Sequence, residues 1–126
     1  MADKIRLVQG DTKPAIIISL TDEETEVPIA VNGATVKLYL RAVGEDTVLL
    51  TKTAFLLPGI VTAGGSVDTS APYDTLGSGG RLQFVWSAGD LDIEEGAYEG
   101  EIEITFSDGS IQTVYDTLKF SLREDF

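Results

Sequence analysis

The chain has no cysteine and no histidine. Those two absences remove a Cys nucleophile, a thiolate zinc site, a Ser-His-Asp triad and an imidazole general base. Any metal would have to be held by oxygen alone, as calcium and magnesium are. Basic residues are scarce as well: 9 Lys and Arg stand against 21 Asp and Glu, for a net charge of −12. Nucleic acids and anionic membrane surfaces repel such a chain at long range, so neither is expected as a partner. No apolar run approaches the roughly 18 residues that a membrane-spanning helix needs. The start, Met1-Ala2-Asp3-Lys4-Ile5-Arg6-Leu7, lacks the basic-then-apolar pattern of a signal peptide, which leads us to expect maturation in the cytosol. Helical periodicity is nearly missing too.

What is there is alternation of period two, the mark of a strand with one buried face. The 126 residues, 43% of them hydrophobic, fit one domain over 1–126 with a core large enough to fold without disulfides or metal. Lys4 to Val8 reads as a first strand and Ala15 to Leu20 as a second, with Ile16, Ile18 and Leu20 on one face. Thr35 to Arg41 turns Val36, Leu38 and Leu40 inward. Thr47 to Ala54 follows the turn at Gly44-Glu45-Asp46. Arg81 to Trp86 sets Leu82, Phe84 and Trp86 on one side. Gly96 to Phe106 carries the clearest pattern, with Tyr98, Gly100, Ile102, Ile104 and Phe106 opposite Glu99, Glu101, Glu103 and Thr105. Ser107-Asp108-Gly109-Ser110 reads as a tight primed hairpin turn, because Asp-Gly accepts positive φ. Ile111 to Tyr115 and Leu118 to Arg123 complete the set. The expected fold is all-β: an antiparallel immunoglobulin-like β-sandwich of seven to eight strands.

Several groupings invite a chemical reading. Asp90-Leu91-Asp92-Ile93-Glu94-Glu95 has acids at the first, third and fifth positions of a calcium loop, but Glu95 stands where an EF-hand needs glycine. It reads better as a solvated turn with Asp90 bonding backbone amides. Gln9-Gly10-Asp11-Thr12 reads as a turn stabilised by the Asp11 and Thr12 side chains. Trp86 and Tyr98 are expected in the core rather than on a ligand platform, since large aromatics bury much area. Glu99, Glu101 and Glu103 form an outward acidic stripe that keeps one face wet and discourages stray edge pairing, or that a Lys- or Arg-bearing partner reads. The glycine-rich stretch Gly64 to Gly80 is expected at the surface, with a short strand between Ile60 and Val67. Its apolar anchors Val67, Tyr73 and Leu76 are the candidate partner contacts. No catalytic residue, cofactor or metal is expected.

The motifs Gln9-Gly10-Asp11-Thr12, Val31-Asn32-Gly33-Ala34-Thr35-Val36, Trp86-Ser87-Ala88-Gly89-Asp90, Gly96-Ala97-Tyr98-Glu99-Gly100-Glu101 and Phe106-Ser107-Asp108-Gly109-Ser110-Ile111 occur in one order. As a set, from about Ile5 to Glu124, they resemble the immunoglobulin-like domain at the N-terminus of phage baseplate upper proteins, which also occurs as small stand-alone phage structural proteins. Ala63 to Gly80 is longer and richer in glycine than that family's link. The long helical, receptor-facing region of true baseplate upper proteins is absent from this sequence. The resemblance implies a non-enzymatic virion protein made in the host cytoplasm, either a tail or baseplate component or a capsid-surface decoration. Its partners would be other virion proteins or further copies of itself. The alternative is a carbohydrate- or cell-surface-binding module on the same fold, using exposed aromatics among Tyr39, Tyr73, Tyr115 and Phe55. A small hydrolase acting through Asp or Glu ranks below both.

Overall fold

The computed structural model describes residues 4–22 and 24–126. Among them there is no helix, and the chain is all-β. The strands are β1 (Lys4–Val8), β2 (Ile16–Ser19), β3 (Thr35–Ala42), β4 (Leu50–Thr53), β5 (Phe55–Leu56), β6 (Ile60–Val61), β7 (Val67–Asp68), β8 (Arg81–Phe84), β9 (Gly96–Thr105), β10 (Ile111–Thr113) and β11 (Leu118–Arg123). This exceeds the expected seven to eight, because three of the strands are two-residue pieces whose pattern is too short to register as periodicity.

The strands make a larger sheet in the order β1-β11-β9-β3-β4, with β10 paired to the far end of β9, and a smaller sheet in the order β2-β8-β5. β6 and β7 form a separate ribbon. β9 is long enough for two neighbours on one side. Its first half takes β11, from Leu118↔Gly100 to Leu122↔Gly96, and its last residues take β10, from Ile111↔Thr105 to Thr113↔Glu103. The expectation of a purely antiparallel fold fails at β1, which lies parallel to β11 from Lys4↔Lys119 to Val8↔Arg123. No hairpin joins these two strands. The whole intervening chain is the connection, so nothing forces an antiparallel pairing.

Alternation within each strand builds the core. β3 buries Val36, Leu38 and Leu40; β8 buries Leu82 and Phe84; β9 buries Tyr98, Ile102 and Ile104; β11 buries Leu118, Phe120 and Leu122. Together with Leu7, Ile16, Leu20, Val31, Trp86 and Leu91 they form one cluster drawn from both sheets. β8 ends two residues earlier than its sequence pattern predicts, yet Trp86 still points inward. Its ring meets Phe120 of the larger sheet edge-on, with centroids 6.1 Å apart, and its indole N–H donates to Pro14 O at 3.1 Å. Gly100 is the one gap in the inward row of β9. The Leu38 and Phe120 side chains close over it, and a Cβ there would lie 2.6 Å from Leu38 Cδ1 and 3.0 Å from Phe120 Cε2.

Two turns differ from expectation. At Ser107–Ser110 only Gly109 has positive φ (88°), whereas a type I′ turn needs two such residues. Gly109 N–H donates to Phe106 O at 2.9 Å and Phe106 N–H to Ser110 O at 2.8 Å, the pattern of a type I turn followed by a glycine bulge. Asp108 Oδ1 accepts from the Ser110 N–H (2.9 Å) and hydroxyl (2.6 Å), so Asp108 closes the loop from its side chain instead of adopting positive φ. At Gln9–Thr12 the bend is made by backbone, through Asp11 N–H to Val8 O and Gly10 N–H to Leu91 O. Asp11 and Thr12 are exposed; Gln9 is the anchoring side chain, its Nε2 donating to Ile93 O at 2.9 Å.

Candidate functional site

The expected contact residues lie on the excursion between β5 and β8. Val67 pairs with Val61 across the β6–β7 ribbon, and both are exposed, as is Leu76. Tyr73 is half-buried, and its carbonyl accepts the Gly59 N–H at 2.8 Å. Gly59 is also the residue whose Cβ would strike Val67 Cγ1, so Val67 and Tyr73 are both held against it. Leu76 precedes Gly77, whose N–H is tied to Leu57 O at 2.9 Å. The segment 63–72 lies at the surface as expected, but the end of the stretch does not: Gly77, Gly79 and Gly80 are buried. A Cβ on Gly79 would overlap the Gly59 carbonyl, and one on Gly80 would lie 2.6 Å from Leu20 O. These glycines let three backbone segments pack together. A glycine-rich composition looks the same in sequence whether it serves a free loop or a close crossing.

A second exposed apolar surface was not foreseen as a group. On the outer face of the small sheet, Ile17 of β2 and Phe55 of β5 both lie opposite Gln83 of β8, with exposures of 55% and 62%, and Val85 is exposed just beyond that strand. The signal was present in sequence: Ile17 is the odd member of an Ile-Ile-Ile run whose neighbours Ile16 and Ile18 face the core.

The acidic stripe lies on the outer face of the larger sheet, and its charges are partly paired. Glu99 accepts from Arg41 Nε at 2.9 Å and from Lys119 Nζ at 3.3 Å, and the Arg41 and Lys119 bonds hold its carboxyl below the usual carboxylate range. Tyr39 OH donates to Glu103 Oε1 at 3.2 Å. Desolvation and the Glu103 charge push the Tyr39 phenol up, so it stays protonated. Glu99 is thus kept ionised and is not a proton donor of the kind that paired-carboxylate hydrolysis needs. The expected role of the stripe against edge pairing is also corrected, since β9 is an interior strand with neighbours on both sides.

Asp90 closes the turn after β8. Its Oδ2 accepts from Lys52 Nζ and from the Ser87 N–H, each at 2.7 Å, and Lys52 also reaches Ser87 Oγ at 3.1 Å. Burial works against its charge, but these bonds outweigh that and lower its pKa. Tyr98 is buried and its hydroxyl donates to Glu94 O. Among the described residues, no group of three or more acidic side chains converges as a metal site would require. The aromatics considered for glycan binding do not gather. Tyr39 lies on the outer face of the larger sheet, Phe55 on that of the smaller, and Tyr115 stands exposed on the β10–β11 connection. No family model, curated protein or solved structure matches the chain.

Proposed function

We propose that the chain is an immunoglobulin-like β-sandwich serving as a non-catalytic structural module of a phage virion, in the tail or baseplate or as a capsid-surface decoration, through protein–protein contacts. Two features support the sandwich reading. The sheet orders β1-β11-β9-β3-β4 and β2-β8-β5 correspond to the two sheets of an immunoglobulin-like domain, with the first strand laid parallel to the last. Tyr98, near the start of β9, bonds back to the Glu94 carbonyl in the manner of a tyrosine corner. Trp86 departs from the antibody pattern, following β8 of the small sheet rather than standing on the strand that corresponds to β3.

The virion role rests on the ordered motifs described above. The contact role rests on one observation: the uncovered apolar side chains Ile17, Phe55, Val67 and Leu76 stand on a scaffold whose core is already complete without them. They fall in two places, Ile17 and Phe55 on the outer face of the small sheet and Val67 and Leu76 on the excursion between β5 and β8, and exposed apolar surface on a rigid frame is where other proteins dock. Mass spectrometry of separated heads and tails from the source phage tests the location, and co-sedimentation with purified particles tests membership. Phe55→Ser with Leu76→Ser is expected to leave folding unchanged and to lower incorporation into particles. Absence of the protein from both heads and tails refutes the reading.

A further inference from the structure

The small sheet has an open edge. In an antiparallel ladder, residues of alternate pairs exchange hydrogen bonds and the residues between them point their backbone groups the other way. Leu20 N–H donates to Gly80 O at 2.9 Å, and the same register continues as Ile18↔Leu82 and Ile16↔Phe84. The N–H and C=O groups of Ile17 and Ser19 therefore turn away from β8. Among the described residues, no strand lies on that side of β2.

Val114, Asp116 and Leu118 face this edge across a groove, and among the described residues no strand pairs with the outer side of the chain from Val114 to Thr117. β10 ends at Thr113, and β1 joins β11 only from Lys119 onward. The groove is lined by Ile18, Leu20, Ile29, Ile102, Val114 and Leu118. Among the described residues its charged lining consists of Asp116 and, in the adjoining hollow that shares Thr21, Ile29 and Val114, Asp22 and Glu24, with no Lys or Arg. Asp22 is fixed in place, its Oδ1 accepting the Glu24 and Thr25 N–H groups at 2.9 and 3.1 Å.

We propose that β2 receives an extended segment of a basic partner protein by strand addition. The guest backbone bonds to the outward groups of Ile17 and Ser19, alternate apolar side chains fill the groove, and flanking Lys or Arg residues meet Asp22, Glu24 and Asp116. Main-chain bonds supply affinity in this mode, and side-chain pockets supply selectivity. A second copy of this chain is a poor guest on charge grounds, since it would bring a net −12 to an acidic rim. The site uses the edge of β2 rather than the outer sheet face or the ribbon, so its failure would leave the preceding reading intact.

The test is an NMR titration of the isotope-labelled full chain with the peptide Lys-Val-Thr-Val-Thr-Val-Lys, beside a version carrying Glu at both ends. The Lys peptide is expected to shift the Ile17 and Ser19 amides and slow their hydrogen exchange, with binding that weakens as salt rises. Asp116→Lys is expected to weaken the Lys peptide about tenfold and to strengthen the Glu peptide. Ile17→Pro removes an outward N–H without breaking a bond to β8 and is expected to abolish binding in a protein that still melts cooperatively. If neither peptide moves those amides, or both bind equally, the proposal is wrong. Slow exchange of both amides in the free protein overturns it too: sedimentation would then show whether a second copy or the chain itself occupies the edge.

Discussion

Trp86 meets Phe120 edge-on, their ring planes at 79°, and this contact joins the chain just past the end of β8 in the small sheet to β11 of the larger one. Trp86→Ala is expected to destabilise the fold by about 3–5 kcal/mol, the range for emptying a large aromatic site. The loss also leaves the Pro14 carbonyl without its indole donor. Denaturant melts monitored by circular dichroism check this, and an unchanged midpoint would contradict the assignment of Trp86 to the core.

Gly100 should be intolerant for steric reasons alone. Gly100→Ala is expected to cost about 1–3 kcal/mol by overpacking against Leu38 and Phe120. In a Leu38→Val background the same change should cost less, because the Cδ1 methyl it would strike is gone. A double-mutant cycle of melts reads the coupling directly.

The glycines between β6 and β8 divide into two kinds. Gly79→Ala drives a methyl into the Gly59 carbonyl and is expected to cost about 3 kcal/mol or more. A Cβ on Gly64 meets nothing within 4 Å, so Gly64→Ala should stay within about 0.5 kcal/mol of wild type. Equal effects at the two positions would contradict the packing described for Gly79.

Asp90 links stability to pH. Its folded pKa lies below the ordinary aspartate value, about 4, so the unfolded chain binds the proton more readily. The stabilisation is therefore complete above the unfolded value and is lost as pH falls through the folded one. Asp90→Asn is expected to cost about 1–2 kcal/mol at pH near 7 and progressively less on acidification below about pH 4. Melts of both proteins across that range test the convergence. A gap that persists in acid would mean that shape, not charge, is what Asp90 contributes.

The inward rows of β3, β8, β9 and β11 were legible in the sequence because each strand has one wet and one dry face, which period two reports directly. The short strands β5, β6 and β7 were harder to read, since two residues carry no period. The parallel β1–β11 pair was hidden for another reason: it joins residues more than a hundred positions apart, and local pattern carries nothing about such a pairing. Of the candidate contacts, Val67 and Leu76 are exposed and Tyr73 is half-buried. The apolar outer face of the small sheet went unread because it is assembled across strands, from Ile17 and Phe55, and not along one.

The pairing of β1 with β11 also sets how the molecule meets a pull. The two strands run the same way, with Lys4 beside Lys119 and Val8 beside Arg123, so the chain enters at one end of the pair and leaves at the other. Tension between the two ends slides β1 along β11 and loads all five residue pairs at once, where a hairpin pulled from its open end would unzip one bond at a time. Force applied along the chain is thus resisted in shear by its first and last strands.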